Sequence, residues 1–306
     1  MKSAPVLQTR SRGIQLHVPA PFDVVHASAE LHLGNVFIQD EVTLASTLKL
    51  TAGINLERYT FTGWEYLPNA RLAWQPTSDL LWWAAVSRVV RTPSRLDRDL
   101  VALPILIAAP NFASETLIAY EAGYRGQLAD NITLSVSGFY NVYDRLRTTS
   151  LLPPGSGVLA QLQNGMEGNT YGVEAWTQFS LANWWRLSSV FTALEKNLKL
   201  KPGIGDASNF QAAGNDPARQ FQIRSLMTPL PEVEIDVGLR VVSDLKSPVI
   251  PGYTQLDKRL GLHVAEGLEL TLSAFNTLSG RHAEGGPANT RREIRRSINA
   301  GFAYRF

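Results

Sequence analysis

Apolar residues recur at every second position through most of this chain, and that period constrains its fold more than any other feature. Leu48, Leu50, Ala52, Ile54 and Leu56 are separated by Lys49, Thr51, Gly53, Asn55 and Glu57. Val233, Ile235, Val237, Leu239 and Val241 alternate in the same way with Glu232, Glu234, Asp236, Gly238 and Arg240. The runs Leu268–Ala274 and Ile298–Phe306 repeat the pattern. A strand turns successive side chains to opposite faces, so each run has one oily and one polar face; wound as a helix, Val233–Val241 would scatter its acids around the cylinder.

The connections carry a second rhythm. Short turns are expected near 45–47, 76–79, 127–131, 181–183, 228–231 and 264–267. Long polar or Pro/Gly-rich connections fall between them, near 58–68, 91–114, 145–169, 197–218, 245–251 and 277–294. With a final strand over 295–306 and a first strand near Arg12–Val18, the alternation predicts about fourteen strands. Short turns at one end and long loops at the other describe an all-β, transmembrane, antiparallel up-and-down β-barrel, with apolar faces to lipid and polar faces to a lumen. A soluble sandwich also alternates, but its loops need not sort by length. Lys49, Glu57, Glu174, Gln178, Glu232, Glu234, Asp236 and Arg240 are the expected lumen-facing residues.

Composition excludes other classes. A chain with 44% hydrophobic residues, 9% aromatic residues and a net charge of +2 is neither disordered nor a basic nucleic-acid binder. It has no cysteine, hence no disulfides and no thiol chemistry. Its longest apolar stretch, Leu100–Pro110, is roughly half the length of a membrane-spanning helix and contains Pro104; it is expected to be a loop segment buried against its neighbours. The N-terminus, MKSAPVLQTRSRGIQL, lacks the apolar core of a secretory signal. No hydrolase, nucleotide-binding or metal motif is present, and His17, His26, His32, His263 and His282 are dispersed. The chain is expected to be no enzyme, with no cofactor and no metal.

Five tryptophans, Trp74, Trp82, Trp83, Trp184 and Trp185, lie within a few residues of a short turn, where a membrane-interface girdle would sit. Tyr140, Tyr143, Tyr171 and Tyr253 lie toward the other end. The terminal layout Phe302, Tyr304, Phe306 resembles the signal read by the outer-membrane barrel assembly machinery.

Several ordered segments resemble the C-terminal barrel portion of TonB-dependent outer-membrane receptors, from about Val36 onward. Trp83–Ser94 (WAAVSRVVRTPS) is similar to the strand and loop start that follows a short periplasmic turn in that family. Glu115–Arg125 (ETLIAYEAGYR), Phe139–Asp144 (FYNVYD) and Asn164–Glu174 (NGMEGNTYGVE) resemble the next strands. Asn215-Asp216-Pro217 and Ala274–Leu278 (AFNTL) are similar to later landmarks, the usual Asn-Leu pair being split by Thr277. The resemblance implies uptake of a ferric siderophore or similar scarce ligand, driven by the TonB complex through a plug inside a barrel of about twenty-two strands. Against that pattern the 306 residues are expected to be a single barrel domain with no plug and no signal peptide, most of a wall that is not transport-competent alone. The implied location is the outer membrane of a Gram-negative cell, with lipid, lipopolysaccharide and the assembly machinery as partners. A small passive porin is the main alternative, and a soluble carbohydrate-binding β-sandwich the third.

Charged residues in the long connections supply the candidate sites. Arg91, Arg95 and Arg98 are candidates for attracting an anionic ferric chelate, against the alternative of pairing with Asp97 and Asp99. Arg291, Arg292, Arg295 and Arg296 are candidates for contact with lipopolysaccharide phosphates, because a guanidinium binds phosphate through two parallel hydrogen bonds.

Overall fold

The alternating runs become consecutive strands of one antiparallel meander. In the computed structural model, which describes residues 6–15, 18–20, 22–207, 214–286 and 288–305, the first seven strands are β1 (Val6–Gln15), β2 (Ser28–Ala45), β3 (Leu48–Tyr59), β4 (Gly63–Thr77), β5 (Leu80–Arg91), β6 (Glu115–Ala129) and β7 (Ile132–Leu151). The rest are β8 (Ala160–Ala182), β9 (Trp185–Leu200), β10 (Arg219–Leu230), β11 (Val233–Val242), β12 (Tyr253–Ala265), β13 (Leu268–Phe275) and β14 (Ser297–Tyr304). Each pairs with its neighbours in sequence. The sheet ends at β1 and β14, and no pairing joins these two edges among the described residues.

Connections sort by end. Residues 46–47, 78–79, 130–131, 183–184, 231–232 and 266–267 close tight turns at one end. The other end carries 16–27, 60–62, 92–114, 152–159, 201–218, 243–252 and 276–296. Three sequence expectations are corrected here. The first strand lies at Val6–Gln15 rather than near Arg12–Val18; the connection expected over 58–68 is a three-residue turn at 60–62 closed by Gly63 at φ 72°; and that expected over 145–169 shrinks to 152–159. Thr148, Thr149 and Ser150 remain paired with Gln163, Leu162 and Gln161. The apolar period fades there while the hydrogen-bonded ladder continues, because backbone pairing does not require an apolar face.

Register puts Lys49, Glu57, Glu174, Gln178, Glu234, Asp236 and Arg240 on one common face. Glu232 instead occupies the 231–232 turn. On this polar face charges are matched across strands. Arg224 Nε donates to both carboxylate oxygens of Asp236 at 2.8 and 3.0 Å, and Arg259 bridges Glu234 (3.0 Å) and Glu269. The opposite face is apolar, with Ala84, Ala122, Gly138 and Val173 in one row and Val86, Tyr120, Tyr140 and Tyr171 in the next.

Glycine has a packing role on the polar face. Gly123 lies directly opposite Trp83, and a Cβ there would sit 2.5 Å from Trp83 Cε2. A large ring therefore covers a residue without a side chain. Gly123→Ala is expected to cost about 1–3 kcal/mol through overpacking, read as a lower unfolding temperature in detergent. Gly138→Ala, whose new Cβ would meet only the Gly172 carbonyl at 3.7 Å, serves as the tolerated comparison.

Candidate functional sites at the loop end

The 92–114 connection is organised around one buried carboxylate. Ser94 caps α1 (Arg95–Asp99) in a capping box with Asp97. Asp97, 2% exposed, accepts hydrogen bonds from Arg91 Nη1 (2.9 Å), the Ser94 N–H and hydroxyl (2.9 Å each) and Arg147 Nη1 (3.2 Å). Burial pushes the Asp97 pKa up, but the Ser94 and Arg91 hydrogen bonds outweigh it and hold the carboxyl below its usual range. Glu115 extends the cluster, accepting from Arg91 Nε at 2.6 Å and from the Arg147 N–H at 2.7 Å. Behind it Ala102, Leu106 and Ala160 form a small apolar core, so part of Leu100–Pro110 is buried against β8.

The structure separates Arg91, Arg95 and Arg98. Arg95, 4% exposed, is held by Asp99 (3.0 Å) and the His26 carbonyl. Arg98 donates to the Phe61 carbonyl at 3.0 Å and lies over the Phe61 ring at 4.8 Å. Arg91 bridges Asp97 and Glu115 while its side chain stays 46% exposed.

A second arrangement lies between the 243–252 and 276–296 connections. Asn276, fully buried at φ 52°, ends β13; its N–H donates to Asp257 (2.8 Å) and its amide to the Ile294 carbonyl (3.2 Å). Asn is among the few residues that tolerate this left-handed conformation. The connection then folds into a small hairpin, Arg281–Ala283 against Glu293–Arg295, with Arg281 directly opposite Arg295. His282 stacks on Tyr253 with ring centroids 3.9 Å apart, and Arg240 lies over the other aromatic partner, Tyr253, at 5.2 Å. Glu284 accepts from the Tyr253 hydroxyl at 2.8 Å and pairs with Arg240. Burial raises the Glu284 pKa, yet the Tyr253 hydrogen bond and the Arg240 charge leave it depressed.

Beside this platform opens a cavity of about 1220 Å³ lined by Arg281, Arg291, Arg292, Glu293 and Arg295, among others. Three of the four arginines singled out by sequence thus meet at one cavity. Arg296 is outside its lining and donates to the Thr277 carbonyl at 2.9 Å. The sequence reading missed Arg281, which only the hairpin register brings opposite Arg295, and Asp97 as an organising centre. The Ser94-x-x-Asp97 spacing was its available signal.

Among the tryptophans, Trp74 and Trp82 are cross-strand partners on the apolar face, with Trp82 4.7 Å from Tyr124. Trp184 stacks on Trp185 at 5.8 Å, beside the 183–184 turn, and Trp185 Nε1 donates to Ser225. Trp83 lies on the polar face over Gly123. Phe302 and Tyr304 point to the apolar side of β14, and Phe306 lies outside the described residues.

No helix among the described residues is long and apolar enough to cross a membrane, which leaves spanning by strands open. No curated protein matches the chain. Among solved structures it is similar to the ferric enterobactin receptor PfeA (G324V mutant) of Pseudomonas aeruginosa, at 14% identity and a TM-score of 0.71, covering 92% of this chain and 46% of that one. It is also similar to the siderophore receptor PirA of Acinetobacter baumannii (11% identity, TM-score 0.74, 92% and 46% covered). The FrpB iron transporter of Neisseria meningitidis (F3-3 variant) gives 15% identity and a TM-score of 0.74, with 91% and 46% covered. The chain therefore spans a little under half the length of these structures, and the likeness is one of fold. The family described as TonB dependent receptor-like, beta-barrel matches residues 17–276, which takes in most of the strands and the 92–114 connection and stops where the 276–296 connection begins. The chain belongs to the TonB-dependent receptor β-barrel family, whose members are outer-membrane receptors and transporters.

Proposed function

We propose that these fourteen strands form the C-terminal wall of an outer-membrane receptor that takes up a ferric siderophore or a similarly scarce chelate. The observation that carries this reading is the family match joined to the sorting of connections: tight turns at one end, long braced loops at the other. Loops on a rigid scaffold are where recognition is built. The names of the similar structures, a ferric enterobactin receptor, a siderophore receptor and an iron transporter, point to the same ligand class. On this reading the transport cycle belongs to the closed wall with its plug and TonB, and not to this sheet alone. Lipid meets the apolar face, Trp74, Trp82, Trp184 and Trp185 mark its turn-end border, and Phe302, Tyr304 and Phe306 serve assembly. Arg291, Arg292, Arg295 and Arg296 face lipopolysaccharide.

Arg91 is the ligand contact among the three loop arginines, because it keeps exposed surface after bracing Asp97 and Glu115; Arg95 and Arg98 hold the loop that presents it. In a receptor carrying this wall, expressed in a Gram-negative host without its own siderophore receptors, Arg91→Gln is expected to weaken binding of a labelled ferric catecholate about tenfold, the loss of one charge-assisted hydrogen bond. Unchanged affinity removes Arg91 from the site. Steady ion conduction in planar bilayers without any partner would instead favour the porin reading.

A further inference from the structure

Several cations of the polar wall are neutralised in place: Arg224, Arg240 and Arg259 each meet a carboxylate. The cavity under the 276–296 connection instead gathers its cations at one place. Four arginines line it against one acid, Glu293, which pairs with Arg281 at 3.4 Å. Arg292 and Arg295 have no ion pair among the described residues, and Arg281 and Arg295 face each other as direct cross-strand neighbours. Like charges so placed destabilise a hairpin.

We propose that this cavity is an oxyanion site for a ligand bearing two or more phosphate or carboxylate groups. The guanidinium fork matches both groups with paired hydrogen bonds, and several forks on one wall select a polyanion over a single charge. The site is also braced before any ligand arrives. Asn276 fixes the start of the connection through Asp257 and Ile294, Arg291 ties it to the neighbouring loop through the Val249 carbonyl at 3.1 Å, and the stacked Tyr253 and His282 pin the hairpin. Bracing of this kind reduces the ordering cost of binding. The cavity of about 1220 Å³ is large for a small-molecule pocket, so a ligand with several separated acid groups fits it better than a lone phosphate. Two sources share this chemistry: the headgroup phosphates of a membrane lipid, and a soluble polyanion. The inference deepens the lipopolysaccharide reading of Arg291, Arg292 and Arg295 given above and does not depend on the transport cycle.

The test is titration calorimetry on the full chain folded in uncharged detergent at low salt, with tripolyphosphate in one arm. A second arm uses diphosphoryl lipid A mixed into the micelles, with its dephosphorylated form as the blank. The variant R281Q/R292Q/R295Q is expected to bind at least about tenfold more weakly, whereas R71Q/R125Q/R186Q, which removes equal charge near the tight turns, stays within about twofold. If the triple variant fails to fold, Arg292→Gln alone, at an exposed loop position, should weaken binding about threefold to tenfold. Preference for lipid A assigns the headgroup source, and binding of tripolyphosphate without such preference assigns the soluble one. Equal losses in the two triple variants, or no binding of either probe, overturns the proposal.

Discussion

Replacing Asp97 with alanine is expected to release the 92–114 connection while leaving the sheet folded. The carboxylate is the shared acceptor of Arg91, Ser94 and Arg147 and completes the capping box of α1. Removing one member of a buried charged cluster costs about 3–5 kcal/mol when its partners are also buried. Here Arg91 and Arg147 are about half exposed and water recovers part of their solvation. A loss near 2 kcal/mol follows, roughly a thirtyfold rise in the open population of the loop. Limited trypsin digestion should report it as faster cutting after Arg95 and Arg98, with the unfolding temperature of the sheet little changed. Resistance equal to wild type would remove Asp97 from the centre of the loop. The sign of the pH dependence is fixed by the same contacts. The folded carboxyl titrates below its ordinary value of about 3.9, so the stabilisation is present above that value and fades as the pH falls through the depressed one. Amide protection across 92–114, corrected for intrinsic exchange, should therefore fall on acidification below about pH 4 in the native chain. In Asp97→Ala it should show no such step.

Gly168→Ala is expected to have the larger effect on folding itself. Gly168 lies in β8 at φ 149°, a region that side chains avoid. A Cβ there would overlap the Asn197 carbonyl oxygen and approach the Leu198 Cα to 2.8 Å. Both obstacles are backbone of the paired strand β9, so no rotamer change relieves them. Strain and overlap together put the cost above about 3 kcal/mol. The variant should remain in the unfolded, slow-migrating form in unheated detergent gels, or melt well below wild type. Gly155→Ala, at φ 88° in an open connection with nothing within 4 Å, should lose far less. Wild-type melting of Gly168→Ala would show that the β8–β9 register differs here. On its other side the register is irregular: β7 slips against β8 between Tyr143 and Thr148, and Arg145 adopts φ 59°.

Legibility in the sequence followed the solvent. Where a strand is apolar on one side, as in Val233–Val241, the period-two pattern gave β11 (Val233–Val242) to within a residue. Where β7 and β8 rise clear of the apolar band, Thr148–Ser150 and Gln161–Gln163 are polar or mixed on both faces, and the same pattern read as loop what is paired strand. The tight turns were found at every position because alternation and pairing run up to the turn on both strands. Helix α1 was missed although Ser94 and Asp97 stand at capping-box spacing, since five helical residues leave no periodic trace.

The chain by itself determined the architecture: alternation fixes two faces, and short connections alternating with mostly longer ones fix an up-and-down meander whose loops gather at one end. Those properties are local, set by residues two apart or by a few turn residues, so they survive in one dimension. Which charges meet was decided by the tertiary structure. Arg147 reaches Asp97 across fifty positions, Arg95 is buried against the His26 carbonyl, and Arg281 comes opposite Arg295 only after the 276–296 connection doubles back. A guanidinium looks the same in sequence whether it braces a loop or waits unpaired at a cavity. Only the register of the surrounding strands brings a carboxylate within reach or leaves it out.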